Sequence, residues 1–556
     1  MVAASRRRGT MGDERTERAG GELAANLVRR VNVGDMLTRT ARRRPAALAV
    51  VDGERRLAYA ELDAEVNRLA HGLQSRGYGR GSVLGLVAGN SLEFVETYFA
   101  CAKLGTVCVP VNLGWGPGEI AYVLRHSGAT GVVVEADFRA RVEAALGEVP
   151  DVRDVVVAPG TGSDASSDAS AWEAPGRSVL PFSSLLEGMP DAPVEVYVED
   201  RDPVTYLYTS GTTSAPKGVV SSHLAVYLET MTAALELGIR ADDRTVAMMP
   251  LFHTAQLNGL LTPFVLRGGG VVMLRAFDPA VLLEMVERER VTHIFGLPMM
   301  YRALLEHPDL DKRDHSSLRR AIYAMAPMPD EDLRRAIDLL GCELSLGFGQ
   351  TEMNPLTTVF QPEDQLRFPG SVGTQIVNVE VAIMDDDGSL LPAGRSGEIV
   401  YRGPHAMEGY LHDEEATAAA FAGGWFHSGD VGRLDENGVL WFEDRKKDVI
   451  KTGGENVASL EVEKALYGVD PAIAEVAVVG LPHPRWGEAV TAVVRLRPGT
   501  VRGEAELLEK ARSCLPGFKT PKAVVVVEDF PRTATGKIQK HALRAQLASY
   551  YAGVPD

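Results

Sequence analysis

In the stretch Tyr206-Leu-Tyr-Thr-Ser-Gly-Thr-Thr-Ser-Ala-Pro-Lys-Gly218 an apolar strand runs into clustered hydroxyls, glycine and one lysine. Backbone N–H groups around Gly211, the hydroxyls of Thr209, Ser210, Thr212 and Thr213, and the charge of Lys217 can converge on polyphosphate oxygens. A Walker A loop would place glycine just before the lysine and Ser/Thr just after it. Pro216 and Gly218 stand there instead, so a metal must be held from elsewhere in the chain. By composition alone a plain Ser/Thr/Gly surface loop fits as well. Partners further along the chain decide the matter.

The first partner is Gly347-Phe-Gly-Gln-Thr-Glu352, where glycines allow close backbone approach and the Thr351/Glu352 pair adds a hydroxyl and a carboxylate. A carboxylate beside a phosphate site points to magnesium. Next come Trp425-Phe-His-Ser-Gly-Asp430, then Asp444-Arg445-Lys-Lys-Asp-Val-Ile-Lys-Thr-Gly-Gly-Glu-Asn456, and finally Pro531-Arg-Thr-Ala-Thr-Gly-Lys537. In this order and at this spacing, from Val33 to Leu547, the blocks resemble the adenylate-forming superfamily of acyl-CoA synthetases, luciferases and nonribosomal peptide adenylation domains.

The resemblance implies roles. Thr209, Ser210, Gly211, Thr212, Thr213 and Lys217 would hold the β- and γ-phosphates of ATP, Thr351 the α-phosphate, and Glu352 a magnesium ion. Asp430 and Arg445 would fix the ribose. Lys537 would neutralise the α-phosphoryl group during adenylation, and Lys447 would be the hinge about which a small domain turns. In the second step Gly453 and Gly454 would let a pantetheine arm pass, with Trp486, Phe518 and Lys522 as a coenzyme A patch; for Trp486, ordinary packing is an equal reading. The substrate pocket would be walled by His253 to Asn258, including Gln256, by Ala324, Met325 and Ala326, and by Gly349 and Gln350. Related synthetases carry a small residue where this chain has Met325. That methionine either shortens the pocket or fills a gap in the core.

The resemblance implies an ATP-dependent, AMP-forming ligase joining a carboxylic acid, fatty or aryl, to coenzyme A through an acyl-adenylate. A carrier protein acting in trans is the alternative acceptor. A different reaction on the same fold is a diazotase of actinomycete natural-product pathways, joining nitrite to an arylamine. A non-catalytic luciferase-like binding module is disfavoured by the presence of Lys217, Glu352, Asp430, Arg445 and Lys537 together.

Composition is consistent with these readings. Lysines number 12 against 46 arginines, yet Lys217, Lys446, Lys447, Lys451, Lys519, Lys522 and Lys537 fall in or near the blocks, as a mobile point charge on changing phosphates would require. A net charge of −17 argues against general binding to nucleic acid or anionic membrane. Cys101, Cys108, Cys342 and Cys514 show neither metal spacing nor a disulfide framework, which suits a reduced, cytoplasmic enzyme.

The elements that must position these residues follow from periodicity. Ala47–Val51, Val83–Val87 and Thr106–Val111 read as strands alternating with helices over Tyr59–Leu73 and from Ser91, the pattern of an α/β domain with parallel strands. Thr245–Leu266 lacks charge, but Pro250, His253, Gln256, Asn258 and Pro263 interrupt it, so it reads as a buried helix and loop, not a membrane span. Beyond Asp444, helices over Leu460–Leu466 and Glu504–Cys514 and strands over Val476–Val479, Val490–Val494 and Val524–Glu528 form a small α+β unit. The expected organisation is a disordered tail over residues 1–25, with Met11 as a second start, a large multi-subdomain α/β domain over 26–444, and a small mobile α+β domain over 445–556. Gly160–Arg177 reads as a mobile low-complexity insertion.

Overall fold

The computed structural model describes residues 10–161, 172, 174–209, 215–325, 328–532 and 538–552. Ser210–Thr213, Ala326, Lys537 and, within Gly160–Arg177, residues 162–171 and 173 lie outside the described residues. Two compact units are formed, one from residues up to Glu380 together with Arg402–Ala419, the other from Val381–Tyr401 and from Ala420 onward.

The first unit contains two largely parallel sheets. One holds Pro203–Thr209, Val107–Pro110, Val83–Val87, Gly131–Glu135, Asp154–Ala158 and Ser178–Pro181 in parallel order, with Lys217–Ser222 and Gly409–Tyr410 added antiparallel at one edge. Runs such as Gly-Val-Val-Val-Glu and Asp-Val-Val-Val-Ala are buried along their whole length, as expected of strands covered on both faces. The other sheet runs in parallel through Glu343–Gly349, Arg320–Tyr323, His293–Gly296, Arg244–Ala247, Gly270–Met273 and Leu48–Asp52, with antiparallel strands at each edge. The α/β expectation holds here nearly element by element. Tyr59–Ser75 is a helix, and Leu92–Leu104 is capped by Ser91, whose side chain accepts the N–H of Phe94.

Thr245–Leu266 is buried, as its missing charge implies, but it begins as the strand Arg244–Ala247 before turning helical at Thr254. The tail expectation needs correction at its inner part. Thr10–Arg29 is helical, in keeping with a composition of Ala, Leu, Glu and Arg that favours helix.

The second unit holds an antiparallel sheet of Glu380–Met384, Gly397–Arg402, Phe426–Leu434 and Leu440–Arg445, and another built on the hairpin Ile473–His483 and Gly487–Leu496. Ala523–Val526 pairs parallel to Gly487–Leu496, and Ile450–Thr452 with Glu455–Val457 completes that sheet. The helices are Ser459–Val469 and Glu504–Cys514. This grouping differs from a division at residue 444. The Asp444 carboxylate accepts the N–H of Ser459, which ties Leu440–Arg445 to the helix that follows it.

Candidate functional site

The phosphate-loop segment closes a β-hairpin. Thr209 and Lys217 are the register partners that flank its connecting loop, so the ladder fixes the backbone at Lys217. Its ammonium lies 3.7 Å from Oδ2 of Asp413 and 4.7 Å from the ring centre of Tyr410. The Tyr410 hydroxyl donates to Oε1 of Glu352 at 2.9 Å, and the Gln350 side-chain amide approaches Oε2 at 3.4 Å. Lys217, Asp413, Tyr410 and Glu352 therefore form one connected row. The sequence reading found its two ends and missed Tyr410 and Asp413; the Gly-Tyr pair beside an acidic residue was the available signal.

Glu352 stands on a tight turn, Thr351–Met353, directly after the parallel strand Glu343–Gly349. That is the carboxyl end of the sheet, where α/β folds place ligands. Gly349 is required there, because a Cβ would come within 1.9 Å of the Pro355 carbonyl oxygen. The turn is held from a second direction, since the N–H of Met407 donates to the Glu352 carbonyl at 2.7 Å. Met407 belongs to the same loop as Tyr410, which pairs with Val219 in the hairpin. One loop thus links the phosphate hairpin of one sheet to the carboxylate turn of the other.

The expected acid pocket lies on these strand ends. Tyr323 pairs with Leu346, so Ala324 and Met325 leave the sheet beside the segment leading to Gly349 and Gln350. Met325 is 65% exposed and has a positive φ of 72°. The core-filling alternative for its side chain is therefore set aside. His253 precedes a helical segment whose middle, Leu257–Leu261, is a π-helical turn, a feature often met at functional sites. His253 is partly buried and is held down at about 4 by desolvation, so it is neutral at pH 7. The side-chain amide oxygen of Gln256 accepts the N–H of Met249. A groove of about 870 Å³, lined by Arg240, His293, Arg319 and Cys342 among others, opens at the opposite ends of these strands. None of the expected site residues borders it.

In the second unit Asp430 and Arg445 are register partners, with Arg445 Nε 3.4 Å from Asp430 Oδ1. Lys447 occupies the turn after Leu440–Arg445, where Asp448 donates its N–H to the Arg445 carbonyl at 2.7 Å; burial lowers the Lys447 ammonium, with Arg445 adding to the effect. Gly453 and Gly454 both have positive φ. The N–H of Gly453 donates to the Trp486 carbonyl at 2.8 Å, and Lys522 lies 5.2 Å over the Trp486 ring. Phe518 is exposed on the neighbouring turn. Of the expected coenzyme A residues, Gly453, Trp486 and Lys522 are brought together.

Among the described residues no helix is long and apolar enough to cross a membrane, and no group of three or more His, Cys, Asp or Glu side chains could hold a metal by itself. Glu352 still suits magnesium, which is commonly bound by one or two carboxylates together with substrate phosphates. Among the described residues its carboxylate oxygens receive only neutral donors.

One compact unit carries the hairpin ending at Thr209 and Lys217 and the Glu352 turn, and the other carries the Asp430/Arg445 pair. The family model described as AMP-binding enzyme matches residues 37–411 and that of the AMP-binding enzyme C-terminal domain matches residues 461–537; the chain belongs to this family. It is 36% identical over 520 residues to a feruloyl-CoA synthase of Amycolatopsis sp, covering 94% of this chain and 100% of that protein. An indoleacetate–CoA ligase of Aromatoleum aromaticum is 34% identical, over 93% of this chain and 98% of its own length. Among solved structures, the anthranilate CoA ligase AuaEII in complex with anthranoyl-AMP superposes with a TM-score of 0.83 at 28% identity, covering 94% of this chain and 98% of that one. The chain is an ATP-dependent, AMP-forming ligase of the acyl-CoA synthetase type. The diazotase alternative is not favoured.

Proposed function

We propose that this ligase activates an aromatic or arylalkanoic carboxylic acid and passes it to coenzyme A. The observation that carries the reading is full-length similarity to a feruloyl-CoA synthase, together with likeness to ligases of indoleacetate and anthranilate. In the first step an acid oxygen attacks the α-phosphorus, the bond to the β-phosphate oxygen breaks, and pyrophosphate leaves. In the second the coenzyme A sulfur attacks the acyl carbon and AMP departs with its phosphate oxygen.

The chain's own groups supply position and charge, from which such reactions gain most of their acceleration. Thr209, Ser210, Gly211, Thr212, Thr213 and Lys217 grip the polyphosphate, and Lys217 exchanges its contact with Asp413 for phosphate oxygens. Thr351 holds the α-phosphate. Glu352 would hold magnesium, which supplies neutralising charge on the phosphates when bound. Asp430 and Arg445 take the ribose, and Lys537 meets the α-phosphoryl charge. Rotation about Lys447 then replaces Lys537 with the Gly453-Gly454 loop, beside Trp486, Phe518 and Lys522. Neutral His253, Gln256, Ala324, Met325, Ala326, Gly349 and Gln350 wall the acid. Four free cysteines support a cytoplasmic setting.

The test is pyrophosphate release measured across fatty acids, hydroxycinnamates, indoleacetate and aminobenzoates, with and without coenzyme A, and with nitrite as a control. Aryl acids should be used best and should yield acyl-CoA. Preference for long fatty acids, or AMP release that needs nitrite and not coenzyme A, would overturn the reading.

A further inference from the structure

Glu229 lies on the inner face of the helix His223–Glu236 and is completely buried. Its Oε1 accepts the N–H of Leu356 at 3.3 Å, and its Oε2 is 3.7 Å from Nε2 of His405, which is also completely buried. That imidazole nitrogen donates to the carbonyl of Leu356 at 3.0 Å, and the Asn354 side-chain amide donates to the His405 carbonyl at 2.8 Å. Burial lifts the Glu229 carboxyl well above its usual range and holds His405 down at about 4, so the imidazole is neutral at pH 7. Two titratable side chains enclosed without a counter-charge are costly, and apolar residues would fill the space with less penalty. What the pair achieves is a grip on both backbone groups of Leu356.

Leu356 closes the turn that carries Thr351 and Glu352, a turn pinned across its base by the Gln350 N–H on the Pro355 carbonyl at 2.9 Å. The loop bearing His405 also supplies Met407 to the Glu352 backbone and Tyr410 to its carboxylate. The same loop is joined to the phosphate hairpin, where the Glu408 N–H donates to the Val220 carbonyl at 2.8 Å and Ser222 donates to the Glu408 carboxylate. Ser222 caps the helix that carries Glu229. The contacts therefore close a ring running from hairpin to helix, to turn, to loop and back to the hairpin.

We propose that Glu229 and His405 are positioning residues that clamp the Gln350–Leu356 turn and so fix the Glu352 carboxylate relative to the phosphate hairpin. The proposal rests on the reading of Glu352 as the carboxylate at the polyphosphate. Groups in direct contact with a metal ligand influence affinity or activity by about 10–100-fold when mutated, and Glu229 and His405 act on Glu352 through the backbone of Leu356.

The experiment compares Glu229→Leu with Glu229→Gln in the full-length protein, using calorimetric ATP binding with and without magnesium chloride, pyrophosphate exchange, and thioester formation from a supplied acyl-adenylate. Glu229→Leu should weaken magnesium-dependent ATP binding about 10–100-fold and raise the ATP KM in exchange, while the acid KM and thioester formation stay put. Glu229→Gln, which keeps the side-chain shape and an oxygen to accept the Leu356 N–H, should restore ATP binding to within about threefold. Equal loss in both variants, unchanged ATP binding in Glu229→Leu, or a matching fall in thioester formation would overturn the clamp. If Glu229→Leu does not fold, His405→Leu against His405→Gln gives the same comparison. Wild-type protein lacking magnesium-dependent ATP binding would defeat the reading of Glu352 itself, whereas intact wild-type binding with no effect of these variants defeats only the clamp.

Discussion

The phenol of Tyr410 donates a 2.9 Å hydrogen bond to Oε1 of Glu352, and its ring faces the Lys217 ammonium at 4.7 Å. Burial and the adjoining carboxylate both raise this phenol, so it remains a donor at any working pH. It keeps the carboxylate and the lysine apart while aiming both.

Tyr410→Phe isolates the hydroxyl. A hydrogen bond to a charged group contributes about 1.5–3 kcal/mol, and because water reaches Glu352 the lower end applies, about a tenfold loss in kcat/KM for ATP in pyrophosphate exchange. Tyr410→Leu also removes the ring beneath Lys217, adding about 0.5–1 kcal/mol. Identical kinetics for the two variants would assign no role to the ring.

Met325 holds a conformation that L side chains adopt reluctantly, at a cost of about 1–2 kcal/mol. Met325→Gly should leave the melting temperature unchanged or slightly raised, since relief of this strain offsets the added freedom of the unfolded chain. It should also lengthen the usable acid. Each added methylene that becomes buried contributes about 0.8 kcal/mol, close to fourfold in kcat/KM. A homologous series of arylalkanoic acids measures this, and a variant with unchanged chain-length preference would remove Met325 from the pocket wall.

The parts of the site that were legible in the sequence are those in which one short segment carries the whole chemical arrangement. Thr209 and Lys217 bracket a loop, Thr351 and Glu352 are neighbours, and Gly453 and Gly454 sit in one turn, so the order and spacing of the blocks single them out through the family resemblance. The row through Asp413 and Tyr410, and the clamp through Glu229 and His405, depend on residues brought together from distant segments. Glu229 and Leu356 are 127 positions apart, and a buried carboxylic acid on an otherwise apolar helix face has no local signature. Strand cores such as Val490–Val494 were visible as β-branched runs, while the outer parts of the hairpin Ile473–His483 and Gly487–Leu496 were not, because their polar and proline positions depend on cross-strand pairing. The boundary near Asp444 marks a motif, but the contact with Ser459 carries packing across it.

Acid should destabilise the protein through its desolvated histidines. His223, His253, His293 and His405 are each held at about 4 by burial, below the ordinary value near 6.5. Their folded pKa values lie below the unfolded ones, so the stability they contribute is present above about 6.5 and is lost as pH falls toward 4, where the unfolded chain binds the extra protons. Between pH 7.5 and 5.5 the loss is about 1 kcal/mol per histidine. Urea unfolding across that range should show the slope, and His253→Gln should flatten it by one histidine's share. A slope identical to wild type would mean that His253 takes up its proton in the folded state as readily as in the unfolded one.

Gly453→Ala separates the two half-reactions. The residue has a φ of 59°, and an added Cβ would meet Cε3 of Trp486 at 2.9 Å. Both effects displace the loop proposed to meet the pantetheine arm, and neither involves Lys217, Glu352 or Tyr410. A displacement of about 1 Å in a positioning element can cost about 100-fold in rate. Thioester formation from a supplied acyl-adenylate should therefore fall by about that factor, with the coenzyme A KM rising, while pyrophosphate exchange stays at the wild-type rate. Trp486→Ala in the same background should recover part of the loss by clearing the collision, although it also removes the face under Lys522. Equal losses in exchange and thioester formation would place the Gly453 loop in the first half-reaction and would refute its assignment to the thiol step.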